Sequence, residues 1–114
     1  MSIKLNTRQV GDVTVVDVVG RVTLGEGSSA LRDTLRDLVS KGARKILLNL
    51  GDVSYMDDTG IGELVAGFTM VTNLGGALKL LNLTNRLKDL LQITKLCTVF
   101  DVREDEADAI RSFN

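Results

Sequence analysis

The run RKILLNL at residues 44–50 constrains the fold more than any other part of the chain. Ile46, Leu47, Leu48 and Leu50 are nearly continuous, so a strand built from them projects apolar side chains from both of its faces. A strand covered on both sides is the mark of a parallel sheet with helices packed against it. The remaining segments supply the other elements. IKLNTRQ (3–9) alternates loosely as a strand, Gly11-Asp12 turns the chain, and the β-branched VTVVDVVG (13–20) returns as a second strand closed by Gly20. Ser28 or Ser29 is placed to cap a helix in which Leu31, Leu35, Leu38 and Val39 recur at i, i+4, i+7 and i+8. Asp37 and Lys41 stand four apart in the favourable order, and Gly42 ends the helix.

After the 44–50 strand, Ile61, Leu64, Val65, Phe68 and Val71 form the stripe of a second helix that starts near Gly60 and stops at NLGG (73–76). ALKLLNL (77–83) reads as a strand, and Thr84 caps a helix carrying Leu87, Leu90 and Leu91. CTVF (97–100) reads as a short last strand. REDEADAIRSF (103–113) begins with acids and ends near Arg111, which matches the dipole of a terminal helix. The expectation is a single α/β domain over residues 1–114. Its mixed sheet has an N-terminal hairpin followed by alternating α and β elements, packed with about four helices.

Composition narrows the function. The chain has 114 residues, of which 44% are hydrophobic and 25% charged, as in a globular domain able to bury a core. Fourteen Lys+Arg against 15 Asp+Glu leave a net charge of -1, with no electrostatic footprint for nucleic acid or an anionic membrane. Histidine is absent, which removes the commonest general base and transition-metal ligand. The one cysteine, Cys97, allows no internal disulfide and reads as a small buried hydrophobe. MSIKLNTRQV lacks the pattern of a secretory leader, and no apolar run approaches the roughly 20 residues of a membrane span. The expected setting is the cytoplasm, with no membrane span.

VSYMDDTGIGELV (53–65) is the sharpest candidate site. It follows a strand and opens a helix, the place where α/β sheets gather ligands and where unpaired N–H groups favour an anion. Asp58 or Thr59 is expected as the N-cap, with Asp57 adding a dipole interaction. Asp52, Asp57 and Asp58 could bind a hard cation, but further ligands are lacking nearby, so no metal or cofactor is expected. GIG lacks the lysine and the spacing of a phosphate loop. Tyr55 and Met56 are apolar residues in an expected connection, and they either close the core beneath it or form a docking patch. Gly60 and Gly62 let backbone approach the sheet or a partner.

LNLGDVSYMDDTGIGELV, together with GGALKLLNLTNRLKDLLQITKLCTVFDV and the earlier VVGRVT, resembles the STAS domain family and its anti-sigma factor antagonists. The resemblance covers almost the whole chain. Its most specific part is SYMDDTGIG, where the family reads Asp-Ser-Ser/Thr-Gly-Leu/Ile-Gly. It implies a protein that is not an enzyme. Such a protein binds an anti-sigma factor with a GHKL-type (histidine-kinase-like ATPase) serine kinase fold and frees a sigma factor to regulate transcription. It implies a partner surface of Arg21, Thr23, Tyr55, Met56, Asp57, Asp58, Thr59, Gly60 and Ile61.

In that family the kinase phosphorylates the serine after the first acid of the motif, ending the interaction. Here Asp58 stands at that position and carries a permanent charge. Thr59 is the remaining hydroxyl, hence a candidate acceptor. Thr23 stands where the family commonly has an acid. The alternatives are a fixed phosphomimic at Asp58, a switch moved to Thr59, or unregulated binding, the last including a scaffold or regulatory subunit of another signalling or transport complex. A phosphorelay receiver would end ILLNL in an acid, and this chain has Asn49 and Leu50 there.

Overall fold

A computed structural model describes residues 3–114. Five strands form one sheet in the order β1-β2-β3-β4-β5: β1 is Ile3–Val10, β2 Val13–Val22, β3 Lys45–Met56, β4 Ala77–Leu81 and β5 Val102–Arg103. β1 and β2 are antiparallel, and every later pair is parallel. Four helices connect and close them: α1 Glu26–Ser40, α2 Asp58–Asn73, α3 Asn85–Ile93 and α4 Glu106–Arg111. The mixed sheet with an N-terminal hairpin and alternating elements is therefore as expected.

β3 is the centre of the sheet, and its two-sided apolar run separates two cores. Ile46, Leu48 and Leu50 face the larger one, which α1, α2 and α3 close with Leu31, Leu35, Ile61, Leu64, Leu87 and Leu91. Leu47 faces the other side, where Val13, Val15 and Leu81 pack under Ala109 of α4. Charge closes this second layer. Arg8 on β1 donates to both oxygens of Asp17 (2.7 and 3.2 Å) and to both of Glu106 on α4 (2.6 and 2.9 Å). Lys79 donates 2.7 Å to the Ser112 carbonyl from beneath the end of α4.

Several boundaries differ from the sequence reading. β3 extends six residues beyond Leu50, because its pairing with β2 slips twice, between Asp17 and Val19 and between Gly20 and Arg21. Each slip inserts an extra β3 residue, so the positions facing the larger core run 46, 48, 50, 53 and 56, and the period-two signal fails. β2 likewise runs past Gly20, which takes φ 110° at the irregularity, and ends at Val22. Neither Ser28 nor Ser29 caps α1: the N-cap is Gly25 at φ 100°, and Ser28 is buried one turn inside. CTVF is not a strand. Phe100 turns into the core, edge-on to Phe68 at 5.4 Å, and pairing begins only at Val102. Cys97 is exposed on that turn, not buried. The terminal helix is shorter than 103–113, because Asp105 caps it through Asp108 N–H at 2.9 Å and leaves Arg103 to β5. Thr84 caps α3, and Asp37 pairs with Lys41 at 3.1 Å, both as expected.

Candidate partner-binding site

The site lies where β2 and β3 end and α2 begins. Asp57, not Asp58 or Thr59, is the N-cap of α2. Its backbone is extended, and Oδ1 accepts from Thr59 N–H at 3.0 Å and Gly60 N–H at 3.1 Å, two of the donors a helix start leaves unpaired. Thr59 Oγ1 donates to the same oxygen at 2.6 Å. Oδ2 accepts from Leu24 N–H at 2.9 Å, so one carboxylate ties the β2–α1 loop to the start of α2. The Asp57 N–H in turn donates to the Val22 carbonyl at 3.3 Å. These donors, led by the Thr59 hydroxyl and then Leu24 N–H, hold the Asp57 carboxyl down at about 2.

Asp58 occupies the first position of α2 and is exposed. Thr59 is half-buried, with its hydroxyl engaged by Asp57. The two neighbours of the motif thus differ in kind. One carboxylate is consumed inside the fold, and the other is presented to solvent.

The structure divides the nine residues of the expected surface. Met56 (3% exposed), Gly60 and Ile61 (6%) are buried, so they shape the surface from beneath. A Cβ at Gly60 would run into the Val22 carbonyl oxygen, whereas one at Gly62 would meet open space. Met56 closes the core beneath the connection, one of the two alternatives for this pair, whereas Tyr55 points the other way, as adjacent strand residues do. The half-buried Tyr55 ring lies under two guanidiniums: Arg21 of β2 at 5.0 Å and Arg86 of α3 at 5.5 Å from the centroid. Thr23 is half-buried, and its carbonyl accepts from Ser28 N–H at 2.9 Å.

Leu24 and Arg86 were not visible as site residues from the sequence. Leu24 contributes through a backbone N–H, which carries no residue-type signal. Arg86 lies 24 residues beyond the end of SYMDDTGIG, and only the placement of α3 beside β3 brings it in. Asp52, Asp57 and Asp58 do not converge. Among the described residues, no three acids or cysteines gather at metal-ligand spacing.

Comparison with known proteins agrees with this architecture. The family described as STAS domain matches residues 4–109. The anti-sigma-B factor antagonist of Bacillus subtilis (strain 168) is 38% identical over 102 residues, covering 90% of this chain and 92% of that protein. That of Staphylococcus aureus (strain NCTC 8325) is 34% identical over 74 residues, covering 65% and 68%. Among solved structures, an anti-sigma factor antagonist from Mycobacterium paratuberculosis superposes with TM-score 0.85 at 18% identity, covering 98% of this chain and 94% of that one. The Bacillus cell fate determinant SpoIIAA in its phosphorylated form gives 0.77 at 19%, covering 97% and 100%. These two likenesses concern the fold. Sequence and fold together establish that this chain belongs to the STAS domain family, alongside the anti-sigma factor antagonists.

Proposed function

We propose that this chain acts by binding rather than turnover, as an antagonist that engages an anti-sigma factor of the serine-kinase kind and releases a sigma factor. The surface is the one built around Arg21, Thr23, Tyr55 and Asp58, with Asp57 locking its two loops together. The observation that carries the regulatory part is the contrast within Asp57-Asp58-Thr59. The family's phosphoserine position holds an exposed carboxylate, Asp58, at the first position of α2. The nearest hydroxyl, Thr59, is already donating to Asp57 at 2.6 Å. A phosphate on Thr59 would remove that donor and set about -1.5 to -2 charges against Asp57. The N-cap would suffer first, so Thr59 is the more costly acceptor. Asp58 is read as a residue that cannot take the phosphate and whose single charge falls short of a phosphate's, so the switch is absent and binding is constitutive.

The test is a binding measurement against GHKL-type anti-sigma kinases of the same genome, followed by incubation with labelled ATP. Wild type is expected to bind one of them and to take up no label, while Asp58→Ser takes up label and then dissociates. Label on wild type that disappears in Thr59→Ala would move the switch to Thr59. Binding by neither wild type nor Asp58→Ser would overturn the antagonist assignment.

A further inference from the structure

Two like charges meet on the ring of Tyr55, and neither has an acid to neutralise it. Several other cations are matched, among them Arg8 with Asp17 and Glu106, Lys45 with Asp12, and Lys79 and Arg103 with Asp101, while Arg44 donates to the Val39 and Ala43 carbonyls. Arg21 and Arg86 are exposed, come from separate elements, and form no ion pair among the described residues. Asp89 lines the same groove on α3 and pairs with neither of them. Stacking on an aromatic face orients a guanidinium while leaving its N–H fork free for a carboxylate. The groove beside the ring runs along Leu90 and Ile93, and Ile93 is 76% exposed. Leu24, 77% exposed, stands on the loop that Asp57 holds. Tyrosine and arginine beside exposed apolar side chains are the composition of an interface hot spot.

We propose that Arg21 and Arg86, ordered by Tyr55, form a cationic clamp for an acidic segment of the partner, whose adjoining apolar side chain packs on Ile93. The clamp rests on the antagonist reading and supplies the chemistry of its partner: carboxylates from a protein chain, met by two forked donors. It also places partner recognition on α3 as well as on the start of α2.

The anti-sigma kinase found to bind wild type is titrated with Arg21→Glu, Arg86→Glu and the double Arg-to-Lys variant, at low and high salt. Each reversal is expected to weaken Kd by about tenfold or more, because a charge-assisted contact becomes a repulsion. The double lysine variant should fall between, since charge stays but the fork and the stacking are lost. Wild-type affinity should fall more steeply with salt than that of the reversals. Both arginines are exposed and form no ion pair, so losing the Tyr55 stacking should lower the Tm of each variant by only a few degrees. Reversing the kinase's acids to Lys, one at a time, should restore Arg86→Glu binding at one site. Reversals that bind like wild type, or rescue by no acid, overturn the clamp while the antagonist reading stands. A kinase set in which nothing binds wild type brings down both.

Discussion

Gly60 and Gly62 sit two residues apart on the same helix, yet alanine should move stability in opposite directions at the two positions. A Cβ on Gly60 would strike the Val22 carbonyl oxygen and lie 2.6 Å from Met56 Cγ and 3.1 Å from Val22 Cγ1. The first obstacle is backbone, held in β2 by its pairing with β3 and by the Asp57 N–H it accepts, so it cannot swing aside. Overpacking against backbone that cannot yield costs about 2–3 kcal/mol, the upper part of the usual range, and the Gly-to-Ala gain in helix propensity returns about 1 kcal/mol. The net expectation for Gly60→Ala is a loss of about 1–2 kcal/mol, which for a domain of this size lowers Tm by about 4–8 °C. At Gly62 the added Cβ meets nothing within 4 Å, so the propensity gain stands alone. Gly62→Ala should raise Tm by about 2–4 °C. Thermal melts followed by circular dichroism, with urea midpoints at unchanged m-value, read both effects. A Gly60→Ala protein as stable as wild type would refute the close approach of α2 to β2, and with it the geometry that seats Asp57.

Acid should unlock the same junction. The Asp57 carboxyl is held at about 2, below its ordinary 3.8, so its contribution to stability is complete above about pH 4 and is lost as pH falls through about 2. Urea midpoints of wild type and Asp57→Asn should therefore differ at neutral pH and converge toward pH 2; a constant gap across that window would count against the assignment. Glu106→Gln should loosen α4, since Arg8 loses its charged partner on that helix. The pair is just over a third exposed on both sides, so about 1 kcal/mol or less is at stake, read as faster amide exchange at Ala109 and Ile110 with little change at β3. Leu48→Ala removes a fully buried side chain from the central strand and should cost about 2–5 kcal/mol, measured by urea unfolding. A loss below about 1 kcal/mol would mean that β3 does not centre the core.

Much of the architecture was legible because single residues announce themselves. The two-sided run at 46–50 made β3 central, the leucine spacings made α1 and α3, and Thr84 marked the start of α3. Misreadings fell where a tertiary contact overrides a local pattern. The double slip of β3 against β2 hid VSYM inside a strand, and a positive-φ glycine took the capping place expected of Ser28 or Ser29. Phe100 left its expected strand because the space beside Phe68 had to be filled. At the site, the motif named Asp57, Asp58 and Thr59, but it could not say which carboxylate was consumed.

Residue order alone thus settled the class of fold and the presence of two adjacent acids, Asp57 and Asp58, at the start of the second helix. Those properties depend on periodicity and residue type, which are local. The fold decided the rest. It turned Asp57 inward to tie Leu24 to α2 and left Asp58 facing solvent. It also carried Arg86 from α3 to the Tyr55 ring that Arg21 already covers. Such pairings depend on how elements distant in the chain are packed, and packing is set by the whole core rather than by any one segment.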